Sequence, residues 1–128
     1  NTRKAPGSWS LLCGDFNAIP ESSVYRFLQG QQSLHGVETQ PWIDLAAYDA
    51  FVKRKATAAT LDFVTNPRWT NTPRLDLPMR VDWLMLGVEI EQELPRVQVV
   101  ELFGVEPLAP SNAVPSDHYG VYTDLSFT

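Results

Sequence analysis

The chain has 128 residues, 44% of them hydrophobic and 20% charged, with a formal net charge of −5. This is the size and composition of one globular domain with a core, which excludes a chain disordered throughout. No apolar run nears the roughly 18 residues of a membrane-spanning helix, and no broad basic surface of the kind that follows a nucleic-acid backbone is evident. A small phosphate site is not excluded, since a few residues suffice to build one. Cys13 is the single cysteine, so no disulfide forms within the chain. Asn1–Gly7 reads as a polar lead-in, with neither an initiator Met nor a signal-peptide pattern.

In chain order, Trp9–Cys13 is a short apolar run that predicts a buried strand, closed by the turn formers Gly14-Asp15-Phe16-Asn17. Ser22 or Ser23 is placed to cap a short helix over Val24–Gln29, with Gly30 as its stop. Residues 31–41 read as loop. Trp42–Lys55 predicts a helix. Ile43, Ala46, Ala47, Ala50 and Phe51 recur at helical spacing, and Lys53, Arg54 and Lys55 suit the negative end of the helix dipole.

Residues 57–78 are rich in Thr, Asn, Pro and Arg and predict a long functional loop with at most short strands. Arg80–Leu86 predicts a strand ended by Gly87, with Val81, Trp83 and Met85 on one face and Asp82, Leu84 and Leu86 on the other. Arg96–Phe103 predicts a further strand and residues 106–116 a Pro-rich loop. His118–Phe127 predicts the last strand, packing through Tyr119, Val121, Tyr122 and Leu125. The expectation is a mixed α/β chain of about four strands and two helices, whose loops carry the unusual polar residues.

Three short motifs carry chemistry. Gly14-Asp15-Phe16-Asn17 follows the first strand. A carboxylate and an amide two residues apart at a strand end can face one cleft, the first taking a proton from water and the second donating to a phosphoryl oxygen. An Asx turn explains the same residues locally. Arg80-Val81-Asp82-Trp83 places a carboxylate in an apolar strand, where it needs a partner. Arg80 on the same face is one candidate, and a histidine held in one tautomer is the other. Ser116-Asp117-His118-Tyr119 sets an acid before a histidine at a loop-to-strand corner. Asp117 suits a hard divalent ion and His118 a hydrogen bond to developing phosphoryl charge. A capped strand start with an exposed histidine is the local alternative.

Taken in order, these motifs resemble the endonuclease/exonuclease/phosphatase superfamily (deoxyribonuclease I-like), whose pattern runs GD-x-N, then R-I/V/L-D-Y/W, then S-D-H. The stretch Asp15–Leu28 is similar to the family's strand-to-helix segment, and the resemblance spans residues 11–127. It implies an α+β fold, a four-layered α/β/β/α sandwich with a two-sheet β-sandwich core. Residues 1–128 would be the C-terminal half of such a domain. The family's first half supplies an early Asn, the principal metal-binding Glu and a Tyr or His that grips phosphate, and none has a counterpart here.

The resemblance implies a divalent-metal-dependent phosphoesterase using Mg²⁺ or Mn²⁺. Asp15 would orient or deprotonate the attacking water and share in metal binding. Asn17 would hold the phosphoryl group. Asp82 would keep His118 oriented and protonated, and His118 would stabilise the transition state. Asp117 would bind the metal directly or through water. Trp69 either lines the substrate cleft or packs its loop down. Arg80 and Arg74 either meet a phosphate or satisfy a nearby acid such as Asp76 or Asp82.

The expected substrate is a phosphate ester of a nucleic acid, a phospholipid or an inositol phosphate. The acidic balance disfavours long duplex DNA. The Trp69 loop and Pro115–Val121 look more like uncharacterised bacterial and sphingomyelinase-like members than abasic-site nucleases. The expected partner is an N-terminal half on another chain or a cleaved segment. The alternative is a non-catalytic binding or structural fragment. A half-sandwich standing alone would expose a large apolar sheet face. Elsewhere, Cys13 reads as a buried thiol, His35 as a surface side chain, and Glu89, Glu91 and Glu93 as one solvated face.

Overall fold

A computed structural model describes residues 8–69, 77–88 and 93–127. The described chain is mixed α/β with two antiparallel sheets. Its elements are β1 (Ser10–Asp15), α1 (Ser23–Leu28), β2 (Trp42–Asp44), α2 (Leu45–Lys53), β3 (Asp82–Gly87), β4 (Arg96–Phe103) and β5 (Gly120–Ser126), with a 3₁₀ turn at Pro67–Trp69. One sheet has the order β1-β3-β2, and the other pairs β4 with β5. Glu89, Glu91, Arg74 and Asp76 lie outside the described residues.

β3 is the central strand and is covered on both faces, so Trp83, Met85 and Leu86 are all buried. Phe16 stacks on the Trp83 ring at 4.5 Å, and Tyr25 from α1 meets it edge-on at 5.1 Å. α2 lies against β3 of the first sheet and β4 of the second, and so contacts both sheets. β1 pairs with β3 from Ser10 opposite Gly87 to Asp15 opposite Asp82.

α1 forms as its caps direct. The Ser22 side chain accepts from Tyr25 N at 3.2 Å, and Gly30 takes φ +68° just past the end. The long helix predicted from Trp42 is shorter. Trp42, Ile43 and Asp44 pair with β3 as β2, and the helix starts at Leu45. Asp44 is its N-cap, with Oδ1 accepting from Ala46 N at 3.1 Å and Ala47 N at 3.2 Å. Helical spacing at Ile43 arises because a strand runs straight into a capped helix.

The inward face also differs from the predicted one. Leu45, Asp49 and Ala50 are buried, while Phe51 is 83% exposed. The basic C-terminal run bonds inward: Lys53 reaches Asp49 at 2.6 Å and the Gln98 carbonyl at 3.0 Å, and Lys55 reaches Asp49 at 2.8 Å. Burial pushes the Asp49 carboxyl up, but hydrogen bonds and charge from the two lysines outweigh it and hold it below its ordinary value.

A buried ion pair ties the first sheet to the segment before β3. Asp44 Oδ2 accepts from Arg80 Nη2 at 2.6 Å and from the Tyr25 hydroxyl at 2.8 Å. Burial, together with the Asp44 charge, pushes the Tyr25 hydroxyl up to about 12. The partner of Arg80 is thus Asp44 rather than Asp82.

Three further readings change. Cys13 is exposed, not buried. Tyr122 is 43% exposed, its hydroxyl donating to Glu101 Oε2 at 2.7 Å. β5 begins at Gly120, because His118 belongs to the corner before it, its N–H donating to Ser116 Oγ at 3.1 Å. His35 is exposed, in the tight turn closed by Leu34 and Val37.

Replacing Arg80 by Leu leaves the buried Asp44 carboxylate without its cation and is expected to cost about 3 kcal/mol or more in urea unfolding. Phe51→Ser, at a position whose spacing reads as core, is expected to change stability by no more than about 0.5 kcal/mol.

Candidate active site

The end of β1 and the start of β3 form the floor of the site. Their register sets Asp15 directly opposite Asp82, and like charges in that relation repel. The loop after Pro115 brings in the compensating group. His118 Nδ1 lies 2.9 Å from Asp82 Oδ2, both side chains being about three-quarters buried (23% and 22% exposed). Burial lowers the His118 pKa, but the Asp82 hydrogen bond and charge, with the charges of Asp15 and Asp117, overcome it and hold it above its ordinary value. Asp15, Asp82 and His118 each offer a ligand atom within 4.8 Å of the others, a group able to hold a metal ion.

The turn after β1 aims Asp15. Asp15 Oδ1 accepts from Asn17 N at 2.8 Å, and Asn17 adopts φ +47°, so an Asx turn is present. Phe16 N donates to the Val81 carbonyl at 2.9 Å, clamping the turn to the segment entering β3. The Asx turn and the cluster are therefore one arrangement. Asn17 is exposed beside it.

The other expected residues divide. Asp117 is exposed, outside the group of three, and its carboxylate accepts from Ser116 Oγ at 3.3 Å. It reaches the site through its charge on His118. Trp69 donates from Nε1 to the Asp117 carbonyl at 3.0 Å and meets the Phe63 ring at 4.8 Å, so it packs its loop down next to the motif. Arg80, expected at the substrate, is instead buried against Asp44 and does not join the cluster.

Sequence reasoning missed the residues that hold the histidine corner. Thr60 is fully buried. Its Oγ1 accepts from Val81 N and Asp82 N, both at 3.1 Å, and its carbonyl accepts from Tyr119 N at 2.7 Å. Asn66, 1% exposed, donates from Nδ2 to the Ser116 carbonyl at 3.0 Å. Arg68 donates from Nη2 to the Val114 carbonyl at 2.9 Å. The only signal for them was the Thr- and Asn-rich composition of residues 57–78, which does not say which of these side chains is buried.

With this geometry established, the comparisons with known proteins assign its class. The model of the Endonuclease/Exonuclease/phosphatase family matches residues 2–118, nearly the whole chain. The chain belongs to that family, whose members are generally metal-dependent phosphoesterases. No curated protein and no solved structure matches it.

The raised pKa has a sign that can be measured. Folding favours the imidazolium, so its stabilising contribution is full below the unfolded value of about 6.5 and is lost as pH rises through the folded value. NMR titration of His118 should give a midpoint above that of a model histidine, and Asp82→Asn should bring the midpoint down.

Proposed function

We propose that this chain supplies the Asp/His part of a divalent-metal-dependent phosphoesterase site, hydrolysing a phosphodiester or phosphomonoester. The observation that carries the reading is the 2.9 Å Asp82–His118 hydrogen bond with Asp15 opposite it across the strand pair. In this reading Asp82 keeps His118 oriented and protonated. The imidazolium donates to phosphoryl oxygen as negative charge builds there. Asp15 orients the attacking water and takes its proton. Asn17 holds the phosphoryl group through its amide.

The donor set fits a hard cation, because Asp15, an exposed carboxylate, and Asp82 offer oxygens with His118 within 4.8 Å of one another, and Asp117, outside that group, would join directly or through water. A bound Mg²⁺ or Mn²⁺ would supply Lewis-acid stabilisation of a phosphoryl oxygen. The substrate is a phosphate ester of a nucleic acid, phospholipid or inositol phosphate. The net charge of −5 favours one other than long duplex DNA. In this reading Trp69, bonded to the Asp117 carbonyl, would stand beside the substrate.

We further propose that the chain is the C-terminal part of one α/β/β/α sandwich domain and that a second segment completes it. Leu11 is 58% and Phe103 57% exposed on the two sheets, Cys13 is exposed on β1, and β1 is an edge strand. A binding role without catalysis is favoured by one feature: among the described residues, no glutamate joins Asp15, Asp82 and His118. Calorimetry with Mg²⁺ tests that reading, and tight binding lost in Asp117→Asn counts against it.

The deciding assay is hydrolysis of bis(p-nitrophenyl) phosphate by the complete protein with Mg²⁺ or Mn²⁺. Activity should vanish with EDTA and return with metal. His118→Ala should lower kcat by about 100-fold or more. An undiminished rate in that variant rejects the assigned role.

A further inference from the structure

We infer that Thr60 is the positioning residue of this site, bonded among the described residues to both sides of the Asp82–His118 pair, through its hydroxyl on the Asp82 side and its carbonyl on the His118 side. The inference rests on the phosphoesterase reading for its catalytic consequence, but on geometry alone for its structural one. Asp82 is the first residue of β3, where the chain arrives from a loop. Successive amides of a regular strand point to opposite sides. Here Val81 N and Asp82 N both donate to one oxygen, Thr60 Oγ1, at 3.1 Å each. Two amides held by a single acceptor set the direction in which β3 begins, and with it the Asp82 side chain.

The same residue reaches the other partner through its backbone. The Thr60 carbonyl accepts from Tyr119 N at 2.7 Å, one residue beyond His118. Thr60 N and Leu61 N both donate to the Met79 carbonyl at 2.9 Å, and Met79 N returns a bond to Leu61, so Thr60 itself is held in place. The loop that follows continues the hold on the histidine corner through Asn66 to Ser116, Arg68 to Val114 and Trp69 to Asp117. Among these contacts, only those of Thr60 reach both sides of the Asp82–His118 pair.

Burial makes the hydroxyl hard to replace. Thr60 is 0% exposed, so water has no ready access to the two amides if Oγ1 is removed. Two unsatisfied buried N–H groups then draw the start of β3 out of place. A displacement well under the length of a bond to His118 is enough to spoil a site that depends on alignment.

The test compares Thr60→Val, which keeps the branched shape and loses the acceptor, with Thr60→Ser, which keeps the acceptor. Two readouts are taken on the complete protein. One is the downfield His118 Nδ1–H proton resonance, which reports the bond to Asp82 without any substrate. The other is kcat and KM for bis(p-nitrophenyl) phosphate with Mg²⁺. Thr60→Val should lose or shift the resonance and lower kcat by about tenfold or more with KM within about twofold, and Thr60→Ser should restore both.

A Thr60→Val protein that is less stable but keeps the resonance and kcat overturns the inference, because Thr60 is then structural only. If the unaltered protein hydrolyses nothing, the phosphoesterase reading fails, and the resonance alone still decides the role of Thr60. If Thr60→Val does not fold, Thr60→Cys, with similar size and a weak acceptor, replaces it in the comparison. A lost or shifted resonance in that variant supports the role, and an unchanged resonance and kcat overturn it.

Discussion

Two carboxylates facing each other across an antiparallel strand pair repel, and the register of β1 against β3 places Asp15 and Asp82 in that relation. His118 approaches them from outside the sheet, its Nδ1 2.9 Å from Asp82 Oδ2. Much of the rest of the described chain can be understood as the means of holding that histidine there. The corner at 114–119 has no regular secondary structure to fix it and takes its bonds from Thr60, Asn66, Arg68 and Trp69. The carboxylates that face each other across the strands are also among the charges that raise the His118 pKa.

Buried polar groups have an unusual share in this arrangement. The apolar core is small, comprising Leu45, Ala50, Val81, Trp83, Met85, Leu86, Val114 and Tyr119. Asp44, Asp49, Thr60, Asn66 and Arg80 are buried beside it. Each makes specific bonds, so each fixes direction as well as proximity. The Asp44–Arg80 pair sets the junction of β2 and α2 against the approach to β3, and Thr60 sets the start of β3 itself. The strand carrying Asp82 is thereby fixed from two sides before any substrate is considered.

The three motifs are legible in the sequence because two join a chemical residue type to turn formers at a strand end, and the third sets a carboxylate within an apolar strand. Asp15, Asp82 and His118 meet in space. Their register is not legible, since pairing depends on which of several apolar runs lie side by side. The helix boundary at Leu45 is hidden because β2 runs into α2 without a break, and Ile43 falls at helical spacing by coincidence of phase. Phe51 and Cys13 look inward-facing in the sequence because apolar character suggests burial, yet apolar surface is common on proteins. Arg80 lies next to the motif that contains Asp82 but bonds to Asp44, 36 residues away, a pairing no local pattern announces. Thr60 and Asn66 differ from ordinary loop residues only in their burial, which composition does not reveal.

The central claim is that the Asp82–His118 pair is an energetic unit and not a chance proximity. A double-mutant cycle on stability measures it, using Asp82→Asn, His118→Gln and the two together, by urea unfolding at a pH where the histidine is protonated. A favourable coupling of about 1 kcal/mol or more between the two sites is predicted. Additive effects, with no coupling at low pH, would contradict the account.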